Sequence, residues 1–144
     1  MVPTKPTKKA LLLCILEILK RHSHSKRRLT QSEIIDYLKN EYDLVCDRKT
    51  IARNIDVLLD LGYDIETPRD GKKGYVYQGR DFVEGELRML IDSVLSFRYI
   101  PQKYARDLVN KLLQLGTDEF KNKARHVHKV GEWPRCNNKN IFLN

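Results

Sequence analysis

The sequence predicts a mainly α-helical protein carrying one small β-hairpin. Three observations lead there. Apolar residues recur at helical spacing in successive segments from Leu12 to Leu115. Between Tyr63 and Gln78 that spacing gives way to alternation around a turn-rich stretch. Residues that end helices stand where the helical segments begin and stop, with Thr30, Glu33, Asp47 and Gly62 the clearest.

The stretch from Asp47 to Gly62 is marked at both ends. Asp47 is placed to cap the free amides of a first turn, and Gly62 to adopt the left-handed conformation after the last. Ile51, Ile55 and Leu58 form the inward face, with Leu59 beside them. Lys49, Arg53 and Asp56 then point outward, and Arg48 and Thr50 project from the first turn. Long hydrogen-bond donors near a helix N-terminus, with an apolar back behind them, suit a helix that enters a DNA major groove. In isolation the same pattern describes a solvated amphipathic helix, and the flanking segments decide against that.

Met1 to Thr7 reads as a mobile arm. Lys8 to Arg21 is a first helix, with Leu12, Ile15, Leu16 and Leu19 inward. His22 to Arg28 is a polar, basic connection. Thr30 and Glu33 form a capping box that opens a second helix, buried through Ile34, Ile35 and Leu38 and fraying near Asn40. Glu41 to Cys46 links it to the helix at Asp47. Tyr63 to Thr67 and Tyr75 to Gln78 alternate as strands around the turn Pro68–Gly74. Three helices followed by a hairpin give the order of a winged helix-turn-helix, with Arg69, Lys72 and Lys73 at the wing tip to meet DNA backbone. Gly71-Lys-Lys-Gly74 is not a phosphate loop: it lacks the spacing and the Lys-Ser/Thr ending, and it joins two strands.

Beyond residue 80, Asp81 is placed to cap a helix through Leu87, Leu90, Ile91 and Val94. Pro101 opens another, with Tyr104, Leu108, Leu112 and Leu115 inward, the face widened by Val109 and Leu113, and Gly116 at its end. This αα-hairpin carries more apolar surface than one partner helix covers, which favours a homodimer through residues 81–116 over a hairpin that only completes the monomer core. Residues 117–144 read as an irregular extension, with a short helix weighed for Phe120–Arg125 and a strand for His126–Val130. His126, His128 and Cys136 are metal-ligand types without the paired spacing of a zinc site. Trp133 reads as a packing or interface anchor. The organisation is thus 1–80, 81–116 and 117–144.

Composition limits the function. The chain has 144 residues, 41% hydrophobic and 32% charged, with a net charge of +8 and a pI near 9.4. The excess is +5 over residues 1–80 and +3 over 81–144. Positive charge spread in this way favours an anionic partner without naming it. Three distant cysteines make no disulfide framework and fit a reducing cytoplasm. Glu17 interrupts the only run resembling a signal peptide, and no apolar run approaches the ~20 residues of a membrane span. No nucleophile elbow, metal-binding helix, dinucleotide turn or Walker loop appears, so neither catalysis nor a cofactor is expected.

Leu12-Leu-Cys-Ile-Leu-Glu-Ile-Leu19, Leu29-Thr-Gln-Ser-Glu-Ile34, Asp47-Arg-Lys-Thr-Ile51, Asn54-Ile-Asp56, Leu61-Gly-Tyr-Asp-Ile65 and Gly74-Tyr75 together resemble the N-terminal half of the WYL-domain transcriptional regulators of bacteria and phages. Phe82 and Glu86-Leu87 resemble the segment those proteins place after the wing. The resemblance covers about residues 10 to 116 and implies a sequence-specific, usually dimeric DNA-binding regulator. The chain stops about where that family's ligand-sensing domain begins, so no small-molecule effector is inferable. The expected contacts are Arg48, Lys49, Thr50, Arg53 and Asn54 on bases and nearby phosphates. Gln31 and Ser32 would meet phosphates, and Arg69, Lys72 and Lys73 the flanking backbone. The competing readings are a winged-helix protein-interaction adaptor and an RNA-binding winged helix.

Overall fold

The computed structural model describes residues 7–127. It contains α1 (Leu11–His22), α2 (Gln31–Tyr42), α3 (Arg48–Asp60), β1 (Ile65–Glu66), β2 (Val76–Tyr77), α4 (Glu84–Ser96), α5 (Gln102–Leu113) and α6 (Asp118–Val127). The fold is mainly helical with a two-stranded antiparallel sheet. The chain divides into two compact units after Gly79. Among the described residues no helix is long and apolar enough to cross a membrane.

In the first unit α1 is the central element, packed against α2, α3 and β2. Contact on several sides widens its buried surface beyond one stripe: Leu11, Cys14 and Ile18 join Ile15, Leu16 and Leu19, while Leu12 is half-buried. The capping box at α2 forms in both directions. The Glu33 amide donates to Thr30 Oγ1 (3.3 Å), and the Thr30 amide donates to Glu33 Oε2 (2.8 Å). Instead of fraying near Asn40, α2 continues to Tyr42. Asp43 there turns left-handed (φ 52°), and the Leu44 amide donates to Leu38 O (3.1 Å), seating Leu44 in the core.

The caps of α3 match the sequence. The Thr50 amide donates to Asp47 Oδ1 (2.8 Å), and Gly62 has φ 95°. Ile51, Ile55 and Leu58 are buried. The strands are shorter than the alternation suggested, pairing Ile65 with Tyr77 and Glu66 with Val76. Arg69 and Lys72 close the tip through paired backbone hydrogen bonds (2.9 and 3.2 Å). Asp70 and Gly71 both have positive φ, the two-residue turn whose twist matches the flanking strands. Leu29, just before α2, pairs with Tyr75 through two further backbone bonds (2.7 and 3.0 Å). A one-residue pairing has no periodicity, so the sequence pattern does not signal it.

The second unit departs further from expectation. Asp81 does not cap α4. Val83 is the N-cap residue, and its amide donates to Glu86 Oε2 (2.9 Å). Pro101 is likewise the N-cap of α5 and not its first helical residue. The inward face of α5 is Ala105, Val109 and Leu113; Tyr104, Leu108 and Leu115 are exposed and Leu112 is half-buried. Val109 and Leu113, expected only to widen the face, are its buried centre with Ala105, one residue round from Tyr104 and Leu108. The reason is α6, whose Phe120 and Ala124 pack with Leu87, Ile91, Val109 and Leu113. With α6 in place the core closes around the smaller stripe. Thr117 opens α6, its Oγ1 accepting from the Phe120 amide (3.2 Å), so the irregular extension does not begin at 117. The strand weighed for His126–Val130 gives way to helix through Val127. Val130, Trp133, His128 and Cys136, and the side chain of His126, lie outside the described residues.

Candidate nucleic-acid interface

The N-termini of α2 and α3 and the hairpin meet around one open cleft of about 450 Å³. Thr30, Gln31 and Ser32 line it from the start of α2, Arg48 from the start of α3, and Pro68, Lys73, Gly74 and Tyr75 from the hairpin. Four of the ten residues expected to contact DNA, Gln31, Ser32, Arg48 and Lys73, therefore come together there. The Arg48 guanidinium donates to Ser32 Oγ (3.0 Å), tying α3 to α2. Gln31 Nε2 donates to the Tyr75 hydroxyl (3.3 Å), tying α2 to the hairpin. The Arg48 and Lys73 charges favour an anion in the cleft, with the helix-end dipoles adding to them and the capping carboxylates of Glu33 and Asp47 opposing.

The other expected residues lie outside this cleft. Lys49 and Arg53 are exposed one turn apart on the outer side of α3, followed along it by the exposed acids Asp56 and Asp60. The outer side is therefore basic at its N-terminal half and acidic beyond. Thr50 and Asn54 are half-buried and engaged locally: the Thr50 hydroxyl donates to Asp47 Oδ1 (2.6 Å), and Asn54 Nδ2 donates to Thr50 O (2.8 Å). These bonds orient both side chains, while the Asn54 carbonyl oxygen and second amide hydrogen keep their capacity to meet a further partner. Arg69 and Lys72 are exposed at the hairpin tip. Arg69 also lines a second hollow of about 410 Å³ with Asp64, Glu66 and Gln78.

Hydrogen bonds from the Thr50 side chain and amide hold the Asp47 carboxyl below its ordinary range, and the fields of Arg53 and Lys49 push the same way. Asp47 thus remains an ionised cap beside the basic half of α3. Burial raises the Cys14 and Cys46 thiols, with Glu17 and Asp47 adding to it, and both cysteines are free. Among the described residues there is no group of three or more His, Cys, Asp or Glu able to hold a metal ion.

Sequence reasoning missed Arg28, placed only within a basic connection. Its guanidinium lies against the hairpin and pairs with Glu66 (2.9 Å). That hydrogen bond, with one from Gln78, keeps the Glu66 carboxyl below its ordinary value. A carboxyl lowered on folding stabilises the fold fully above its unfolded value, and loses that contribution as pH falls through the lowered one. Acidification below pH ~4.5 should therefore loosen the hairpin. In urea titrations at pH 7 and pH 3, Glu66→Gln should show a smaller drop in midpoint than the unaltered chain. An identical drop would remove Glu66 from the acid response.

No protein-family model matches the chain, and neither a curated protein nor a solved structure shows significant similarity to it.

Proposed function

We propose that the chain is a winged helix-turn-helix regulator that binds duplex DNA as a homodimer, with α3 in the major groove and the hairpin as a wing on the flanking backbone. The supporting observation is the convergence of the α2 and α3 N-termini with the hairpin around one cleft holding Arg48 and Lys73. Lys49 and Arg53 extend the positive surface along α3, and Arg69 and Lys72 extend it to the wing tip. Backbone contacts set position, and long donors on α3 read base edges. The resemblance of residues 10–116 to the N-terminal half of WYL-domain regulators points the same way. The exposed Leu90, Phe97, Tyr104, Leu108 and Leu115 of the second unit support self-association. The basic N-terminal half of α3 next to the polar end of α2 favours duplex over single-stranded RNA, since the two candidate stacking residues are both occupied: Tyr75 is buried and bonded to Gln31, and Tyr77 is half-buried with the Lys20 ammonium 5.6 Å from its ring centre.

One observation favours a second reading, an interaction adaptor. The C-terminal end of α3 exposes Val57, and the C-cap Leu61 after it, beside Asp56 and Asp60. An adaptor would show little DNA retention at any salt concentration.

Selection of bound duplexes from a random pool tests the proposal. The expected product is an inverted repeat with half-sites about 10 bp apart or a multiple of that. Recovery of no preferred duplex would overturn sequence-specific readout. On the selected duplex, Lys72→Ala should weaken all sequences alike and flatten the dependence of log affinity on log salt by about one unit. Electrophoretic shifts at two salt concentrations measure this, and an unchanged slope would take Lys72 off the phosphate backbone.

A further inference from the structure

The run Lys26-Arg27-Arg28 reads as one more basic patch for an anionic partner, but its last residue turns inward. The Arg28 side chain is only 16% exposed. Its Nε donates to Lys73 O (3.2 Å), and Nη2 donates to Thr67 O (3.1 Å) and Gly74 O (2.9 Å). Nη1 pairs with Glu66 Oε1 (2.9 Å). Thr67 and Glu66 belong to the first arm of the hairpin, Lys73 and Gly74 to the second. One planar guanidinium therefore bridges both arms just below the tip that carries Arg69, Lys72 and Lys73. The neighbouring residue, Leu29, pairs with Tyr75, so the same short segment holds the second arm by its backbone too. A lysine could not reproduce this, because an ammonium is a point donor and does not span the fork of acceptors.

We propose that Arg28 is a positioning residue that fixes the hairpin against the start of α2, and that it aims the tip cations without touching the nucleic acid itself. The consequence for binding rests on the DNA reading above; the clamp does not. With the clamp in place, the tip is held at a set angle to the α2–α3 cleft, and ordering it costs little on binding. Without it, the short two-stranded hairpin loses the bridge between its arms, so the tip turn and the Leu29–Tyr75 pairing still form but open more often, two such strands alone being only marginally stable.

Arg28→Gln and Arg28→Lys test this, read by amide hydrogen exchange on the free protein and by footprinting on the selected duplex. Exchange at the Lys72 and Tyr75 amides should quicken by roughly ten- to a hundredfold in both variants, while core amides of α1 and α3 keep their protection. The footprint should lose protection in the flanks and keep it over the half-site centre. Rescue of flank protection by Arg28→Lys would overturn the proposal, because a cation acting directly on phosphate tolerates lysine. Unchanged exchange at Lys72 and Tyr75 would overturn it as well. If Arg28→Gln loses core protection, the milder Arg28→Lys alone decides by the same two readouts. If the unaltered protein binds no duplex, the DNA reading fails and the exchange result still decides the clamp.

Discussion

Arg53→Ala should weaken binding to the selected duplex by about 5- to 150-fold, the loss of one bidentate base contact worth ~1–3 kcal/mol. The loss should be confined to the preferred sequence, with affinity for unrelated DNA falling much less, so discrimination narrows at one base-pair position. Arg53 suits this role by location. It is exposed on the outer side of α3, one turn beyond Lys49 and opposite the buried Ile51 and Ile55. Alanine at an exposed helical site keeps the helix, so the unfolding midpoint should stay within error of the parent. Arg53→Lys should recover the nonspecific part of binding and little of the specificity, because lysine lacks the planar fork. Titration of matched and mismatched duplexes at fixed salt measures all three. Full affinity for the matched duplex in Arg53→Ala would mean that α3 does not read bases with this side.

Gly74→Ala is the largest expected effect on stability, a loss of ~2–4 kcal/mol. Two costs add. Gly74 has φ 91°, where a side chain is strained. Its missing Cβ would also lie 2.8 Å from Leu29 O, 2.9 Å from Leu29 C and 3.1 Å from Arg28 Cβ. The first two are backbone atoms, held by the Leu29–Tyr75 pair, and they yield only if that pair opens. Gly71→Ala separates the two costs. Gly71 also has positive φ (76°), but nothing lies within 4 Å of its Cβ position, so it should lose only the conformational part, about 1 kcal/mol. Urea titration of both variants gives the difference. Equal losses would mean that the close approach to Leu29 contributes nothing.

The residues that were legible in the sequence are those whose partners are near in the chain. Thr30 and Glu33 cap α2 across three residues, and Asp47 reaches Thr50 across the same distance. Ile51, Ile55 and Leu58 repeat at the helical period that buries them. Asp70-Gly71 carries its own turn geometry. Of the candidate interface, the exposure of Arg48, Lys49, Arg53, Arg69, Lys72 and Lys73 was legible because helix period and turn position settle it locally, while the bond from Arg48 to Ser32 was not. Thr50 and Asn54 were placed on the right helix, but their hydrogen bonds to Asp47 and Thr50 hold them locally.

The chain by itself determined where α2 and α3 start, where α3 stops, which side of α3 is buried, and where the hairpin turns, since local sterics and helix-end hydrogen bonding settle these within a few residues. Tertiary packing alone decided that Arg28 faces inward, through bonds to residues 39 to 46 positions away. It also decided that α5 buries Val109 and Leu113 with Ala105 and leaves Tyr104 and Leu108 exposed, because α6 closes the core. In both cases the deciding atoms belong to segments with no local pattern linking them, and only close packing in three dimensions brings them into contact.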